Sequence, residues 1–476
     1  MSLQGAPRVS VIIPVRNGER YLREALESAL GQDGGLAEVV VADDGSTDET
    51  PAILASYGNR LRGVRLEGKG VSTARNAALA IARGDLVAFL DADDAFLPGK
   101  LAAQAAILDQ RPEVGLVNSG WRLVDAEGRP LRDEEPWRRA PVLDLDAWLL
   151  WKPVFPGALM VRKSWVERAG GFDPALAHAE DVDLVLRMAA DGCRCAWLEQ
   201  VTVRYRIHGG NAVRDGRAQA GSMDRVLDRF YARPDLPPST RERERKIRFF
   251  TLVWTLWMLR STGCADAEAP YARRAVEAPE PPPGATGFLP GLWRVLEVEE
   301  TLSRHCFESG GTEADLRAFR PRLREVSGLP GAAWRIAERL LDLRLEHRLH
   351  HPRGEFAAPG PDVRGERARR DFVRAAGFLL WYDGGLDFEA VRRAREAEAA
   401  GGGCRGPVRR VCVPLDVLLL ESGALRERPE QADATLRKVV RAVLSPRGLA
   451  LLPELVRAVR AWRLCRKANT LGDPSR

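Results

Sequence analysis

The sequence predicts an α/β protein: a doubly wound, mostly parallel sheet in the N-terminal part, followed by an all-helical C-terminal region. Three observations carry this. Short apolar runs alternate with segments of helical spacing from Val9 to Gln110, which is the pattern of repeated βα units. The rhythm changes at Val114 to strand, hairpin and helix. After about Asn211 the chain turns rich in Ala, Arg and Glu, with helical spacing and no strand alternation. The expected domains are therefore residues 1–215 and 216–476.

The elements follow in order. "VSVIIPV" (Val9–Val15) is a continuous apolar run, expected as a fully buried strand. "GERYLREALESALGQ" places Leu22, Leu26, Ala29 and Leu30 on one helical face. "AEVVVAD" predicts the second strand, and "STDETPAILASYG" a helix with Ser46 or Thr47 as its N-cap. "LRGVRLEG" predicts the third strand, and "GVSTARNAALAIARG" a helix closed by Gly84. "DLVAFLDADD" predicts a fourth strand, and "PGKLAAQAAILDQ" a helix begun by Pro98. Further on, "VGLVNSGWRLVDAEGRPL" predicts a hairpin turning at Glu127-Gly128. "GALMVRKSWVERAGGFD" predicts a strand and short helix, "AEDVDLVLRMAADG" a helix, and "CAWLEQVTVRYRIHGG" an extended segment. Trp121 and Trp197 are expected in the core. The Pro/Gly stretches 277–287 and 357–366 and the glycines 401–403 divide the helical region.

Bulk properties narrow the function class. A chain of 476 residues with 45% apolar and 29% charged residues is a globular protein of two or three domains. A net charge of +6 admits anionic substrates or an anionic membrane surface. Nucleic acid is not expected, because no aromatic residues interleave with basic ones. Of the seven cysteines only Cys193 and Cys195 are neighbours, and C-x-C without a second pair makes a poor metal site. The start, "MSLQGAPR", has no apolar core of a signal peptide. The run "FFTLVWTLWML" is about half the ~20 residues of a membrane span. A cytoplasmic setting is expected, with any membrane contact peripheral, at the inner face.

The chemistry concentrates at strand ends, where open α/β sheets bind ligands. Asp43 and Asp44 end one strand; Asp91, Asp93 and Asp94 of "LDADD" end another. Such carboxylates must be solvated, hydrogen-bonded or metal-bound. For Asp43 and Asp44, loop capping competes with a ligand role. Three carboxylates within "DADD" repel one another unless a cation lies among them. Glu180 and Asp181 open a helix after Gly170-Gly171, where the helix dipole alone would favour acidic residues.

The blocks "VSVIIPVRNGERYLREALESAL", "VVVADDGSTDET", "GVSTARNAAL" and "FLDADD" stand in the order and spacing of family 2 glycosyltransferases. Over about residues 8–211 the chain resembles that family, whose members have the GT-A nucleotide-diphospho-sugar transferase fold. The resemblance implies an inverting transfer of one sugar from a nucleotide-sugar donor, UDP-linked first of all, to a hydroxyl acceptor. It places Pro14, Val15, Arg16, Asn17, Asp43, Asp44, Arg75, Asp91 and Ala92 on the donor. Asp44 would hydrogen-bond the base, and Arg75 would approach the phosphates. An aromatic residue often stands where Arg16 stands; its planar guanidinium is able to stack on a base in the same way. Asp93, helped by Asp91, Asp94 and His208, would hold Mn²⁺ or Mg²⁺, which offsets the charge on a departing diphosphate. In "EDVDLVLRM", Asp181 would be the general base and Glu180 would place the acceptor. His178 and Trp151 are candidates for the acceptor side. The resemblance also implies work on a surface polysaccharide or glycan, with a lipid-linked glycan among the acceptors.

Two rivals stay in view. A sugar nucleotidyltransferase needs a Gly-rich, basic loop after the first strand, where this chain has "PVRNGERYL". A nucleotide-sugar-binding scaffold with a non-catalytic domain would show no turnover. The basic amphipathic segment "LLPELVRAVRAWRLCRK" fits an anionic membrane, packing on the catalytic domain or a second subunit.

Overall fold

The computed structural model describes residues 8–32, 37–211, 214–279 and 289–329, with isolated positions up to 345. The chain divides into two compact units, residues 1–251 with 258–267, and residues 252–257 with those from Glu268 onward. The segment "LLPELVRAVRAWRLCRK" and the Pro/Gly and Gly breaks from residue 357 lie outside the described residues.

In the first unit the elements run β1 (Val9–Val15), α1 (Leu22–Leu30), β2 (Ala37–Asp43), α2 (Thr50–Ser56), β3 (Leu61–Arg65) and α3 (Val71–Ile81). Next come β4 (Leu86–Phe89), β5 (Ala95–Phe96), α4 (Lys100–Gln110), β6 (Val114–Val124), β7 (Pro130–Glu134) and α5 (Leu145–Leu150). The series continues with β8 (Met160–Arg162), α6 (Lys163–Arg168), α7 (Glu180–Ala190), β9 (Arg194–Arg206), α8 (Gly216–Ala232), α9 (Pro238–Glu242) and α10 (Glu244–Ser261), whose residues 252–257 count with the second unit.

All nine strands join one sheet in the order β3-β2-β1-β4-β8-β6-β9-β5, with β7 beside β6. The first four positions are parallel. Beyond β4 the sheet is mixed: β8 runs antiparallel to both β4 and β6, while β6 and β9 are parallel. Every residue of β1 is buried, as its unbroken apolar run requires for a central strand. Its side chains pack with Leu22, Leu26, Val39, Val41 and Leu101 in a single core.

Local expectations failed in three instructive places. Ser46 and Thr47 do not cap α2, whose N-cap is Glu49. The Ser46 hydroxyl instead accepts the Asn17 N–H (2.9 Å), and Asn17 Oδ1 accepts the Thr47 N–H (2.8 Å), zipping two loops together. Gly84 does not close α3, which ends at Ala82. A Cβ there would stand 2.7 Å from Ser10 N, so glycine is required by close approach to β1. The helix expected from Pro98 starts at Lys100, after Gly99 at φ 79°. Trp121 and Trp197 are only partly buried.

The first unit runs past residue 215 because α8 buries Met223, Val226, Leu227 and Phe230, and α8 packs on α7. Arg233, just beyond α8, pairs with Asp191 at the end of α7 (2.5 Å). In the second unit the described elements are helical: α11 (Glu268–Glu277), α12 (Leu289–Glu308), α13 (Glu313–Arg317) and α14 (Arg320–Ser327). They bury Leu296, Leu302, Phe319 and Leu323, and Thr312 with Asp315 closes a capping box on α13. No helix among the described residues is long and apolar enough to cross a membrane.

Candidate active site

The site gathers at the carboxyl ends of β1, β2 and β4, where parallel strands leave a crevice. Pro14 and Val15 are buried at the end of β1, and Arg16 emerges exposed. Its guanidinium lies beside Gly68, within 3.3 Å of where a Cβ on that glycine would stand. Asn17 has φ 53°, the left-handed region that lets its side chain join the β2–α2 loop.

Asp43 and Asp44 are both buried, and both are engaged by main chain. Asp43 Oδ1 accepts the Ser46 N–H (2.9 Å). Asp44 accepts the Lys69 N–H (2.6 Å) and the Gly70 N–H (2.8 Å), one on each oxygen. Asp44 thereby fixes the approach to α3. A carboxylate has about four acceptor sites, so lone pairs remain for a ligand's N–H.

The motif Asp91-Ala92-Asp93-Asp94 follows β4, and its carboxylates have different partners. Asp91 Oδ1 accepts from Arg75 Nη2 (2.7 Å). Asp93 Oδ2 meets His208 Nε2 (2.8 Å) and accepts from Asn211 Nδ2 (3.3 Å). Asp94 is buried, and its Oδ1 accepts the Arg206 N–H (2.8 Å) at the end of β9. Burial, then the charges of Asp93 and Asp91, push the Asp94 carboxyl well above its ordinary range. Asp94 thereby ties the loop after β4 to the end of β9. The mutual repulsion expected within "DADD" is met by protein cations: Arg75 on Asp91, and Arg206, whose Nε donates to the Asp93 carbonyl (2.9 Å).

Arg75 is the hinge of the charge pattern. It lies 3% exposed on α3, with Nη1 on Glu180 Oε1 (2.5 Å) and Nη2 on Asp91. Burial works against its charge, but Asp91 and then Glu180 hold the guanidinium firmly protonated, raising its pKa. Glu180, expected to place the acceptor, spends one oxygen on this bridge. The residue before it, Ala179, has φ 58°, a left-handed conformation costly for alanine. Asp181 is partly exposed, and its Oδ1 accepts the Val182 N–H (2.8 Å). Burial and the charge of Glu180 push its carboxyl up to about 7, against the opposing pull of Arg75. His178 is half-buried and Trp151 is 39% exposed.

Among the described residues no group of three or more His, Cys, Asp or Glu side chains is arranged to hold a metal ion. What the site offers is a touching carboxylate–imidazole pair, Asp93 and His208. Burial and the charge of Asp91 raise the Asp93 carboxyl above its ordinary value, an excess of negative charge that a cation relieves. Mg²⁺-type sites often take one or two protein ligands and complete the shell with phosphate oxygens and water, so these residues fit such an ion bound together with a diphosphate.

Several participants carried no sequence signal of their own. Ser72, Asn76, Arg206 and Asn211 are recognisable only once α3 and the end of β9 face the acidic loops. Ser72, Arg75 and Asn76 do share a helical face by spacing, which is the one clue available beforehand.

Residues 10–168 match the family described as glycosyl transferase family 2. An uncharacterized glycosyltransferase of Rickettsia felis is 33% identical over 213 residues, covering 42% of this chain and 34% of the relative. The succinoglycan biosynthesis protein ExoO of Rhizobium meliloti is 32% identical over 231 residues, covering 45% of this chain and 64% of that protein. The chain spans between about a third and two thirds of the length of these relatives. The crystal structure of S. aureus TarS 1-349 in complex with UDP matches at a TM-score of 0.46 and 20% identity, over 73% of this chain and 93% of that one.

Proposed function

We propose that the protein moves one sugar from a nucleotide-sugar donor, UDP-linked first of all, to a hydroxyl acceptor, inverting the anomeric carbon. The observation that carries the reading is the Arg75 bridge, which joins Asp91 of the strand-end motif to Glu180, the neighbour of Asp181. Donor-side and acceptor-side acids are thereby held on one buried cation. Asp44 and Asp43 serve the nucleoside, with Pro14, Val15, Arg16 and Asn17 around it and Arg16 stacking on the base. Asp181 takes the acceptor's proton: a carboxylate pushed up to about 7 is ionised near neutrality and still basic enough to accept it. One displacement without a covalent intermediate inverts the configuration.

Asp93 and His208 would hold Mn²⁺ or Mg²⁺, with Asp91 poised beside them by Arg75. When bound, the ion offsets the negative charge that gathers on the leaving diphosphate. The names of two relatives, a succinoglycan biosynthesis protein and a chondroitin synthase (30% identical over 215 residues), support polysaccharide or glycan assembly as the setting. A lipid-linked glycan acceptor and a peripheral position at the cytoplasmic membrane face belong to the same proposal. So does the division of labour between a catalytic N-terminal unit and a helical part that selects acceptor or partner.

The test is hydrolysis of a donor panel, UDP-sugars before GDP-sugars, with Mn²⁺ or Mg²⁺. One donor should turn over. Chelation, or Asp93→Ala, should slow it at least about a hundredfold. A protein that binds a nucleotide sugar but never turns it over would instead be a binding scaffold.

A further inference from the structure

We infer that Asn76 is a positioning residue for the Asp181 carboxylate, acting through the segment from Gly171 to Ala179. The inference rests on the reading of Asp181 as the base. It draws on contacts that reading does not use.

Residues 72, 75 and 76 lie one turn apart on the same face of α3, and each engages the chain that leads into α7. Asn76 does so twice: its Nδ2 donates to the Phe172 carbonyl (2.7 Å), and its Oδ1 accepts the Phe172 N–H (2.9 Å). A side-chain amide thus pairs with one residue's backbone as a neighbouring strand would. Ser72 Oγ donates to the Leu176 carbonyl (3.2 Å). Arg75 lies over the Phe172 ring (5.2 Å) and ends on Glu180.

The sequence at the far side of the latch is fitted to it. Gly171 has φ 75°, and a Cβ there would stand 2.6 Å from Asn76 Oδ1. Arg187 of α7 donates to the Gly171 carbonyl (2.8 Å), so the start of the segment is pinned from α7 as well. At its other end Ala179 is held at φ 58°. Strained backbone persists only where surrounding contacts over-determine it, and here those contacts come from Asn76, Ser72 and Arg75 of α3, from Arg187 of α7 and from Arg229 of α8, which pairs with Asp173.

The near end of α3 is equally fixed. Asp44 grips Lys69 and Gly70, immediately before the helix. One rigid helix therefore runs from the proposed nucleoside site to the loop that delivers the base, and the distance between donor and base is set by α3. Loss of Asn76 frees the loop without touching the nucleoside end. Small misplacements of a reacting group cost about a hundredfold in rate, whereas nucleotide affinity has no reason to change.

The experiment compares wild type with Asn76→Ala, using the donor that turns over and its nucleoside diphosphate as probes. The expected result is a fall in kcat of at least about tenfold, with the calorimetric Kd for the nucleoside diphosphate within about twofold of wild type. In the Asn76→Ala background, Gly171→Ala should lower kcat by a smaller factor than it does alone, because the clash with Oδ1 is gone. If Asn76→Ala does not fold, Asn76→Asp takes its place; it keeps the acceptor for the Phe172 N–H and loses the donor to the Phe172 carbonyl. Unchanged kcat, or kcat and nucleotide affinity falling together, overturns the inference. A wild-type protein with no turnover on any donor defeats the functional reading instead, and the two failures are distinct.

Discussion

Arg75→Gln is the perturbation that exposes how the site is held. The wild-type guanidinium is 3% exposed and touches two carboxylates, with Asp181 close enough to feel its charge. Removing one partner from a buried ionic cluster costs about 3–5 kcal/mol, because the remaining charges are left uncompensated. Glutamine retains one amide donor, so about 3 kcal/mol is expected near pH 8. For a unit of roughly this size (residues 1–251 and 258–267), at about 2–4 °C per kcal/mol, the midpoint should drop by about 6–12 °C. The loss should depend on pH. Without Arg75, the pull that opposes the upward shift of Asp181 is gone, so its carboxyl rises further above the unfolded value of about 4. Groups raised in the folded state take up protons on folding, so their stability is full below about pH 4 and is lost as pH rises through the folded pKa. For Asp181, already pushed up to about 7 with Arg75 in place, that window extends past neutrality in the variant. Thermal and urea unfolding of both proteins at pH 5 and pH 8 decide the matter. The deficit should shrink to about 1 kcal/mol at pH 5. An equal deficit at both pH values would mean that Arg75 matters by packing, and the electrostatic account of the site would be wrong.

Asp181→Asn should lower donor turnover about 10²–10⁴-fold with nucleotide affinity retained, and wild-type kcat should fall on the acid side of about pH 7, where the carboxyl protonates; full activity in the variant removes the base assignment. Lys100 is buried against Phe96, with its ammonium near Gln104 and the Leu159 carbonyl, and burial pulls it down to about 7. Because the unfolded chain binds the proton up to about pH 10.4, wild-type stability should rise between pH 7 and 10. Lys100→Met should therefore add on the order of 3 kcal/mol at pH 6 and nothing near pH 10.5; a pH-independent difference in urea midpoint would refute this.

Much of the first unit was legible because its strands are read from composition alone. "VSVIIPV" and "AEVVVAD" became β1 and β2 at their expected ends, since a run buried on both faces needs no partner to be recognised. The mixed half of the sheet was less legible. β5 is two residues long and exists only by pairing with β9, and no local pattern announces such a strand. The caps failed for a related reason. Ser46 has the chemistry of an N-cap, but the neighbouring loop supplied a competing donor in Asn17, and tertiary partners outrank local ones. In the site, the sequence marked the acids and not their roles. Asp91, Asp93 and Asp94 look equivalent in "DADD" and have three different partners: an arginine, a histidine and a backbone amide.

That division has a physical logic. Three adjacent carboxylates facing one small ion would repel strongly in the absence of ligand, and the domain would have to fold around that repulsion. Here Asp91 is neutralised by Arg75, and Asp94 is buried under conditions that favour its protonated form. Asp93 is left with His208, whose charge depends on its protonation and whose imidazole is of a type that binds metals. By this pairing the folded protein carries fewer unbalanced acids at the end of β4 than its sequence alone suggests, although burial and the charge of Asp91 still raise the Asp93 carboxyl. If Asp93 and His208 hold the ion as proposed, the site would bind it weakly alone and more tightly with the phosphates, which would supply the missing oxygens. Metal and donor binding would accordingly be coupled, and Asp93→Ala should weaken that coupling in calorimetric titrations of the ion with and without a nucleoside diphosphate.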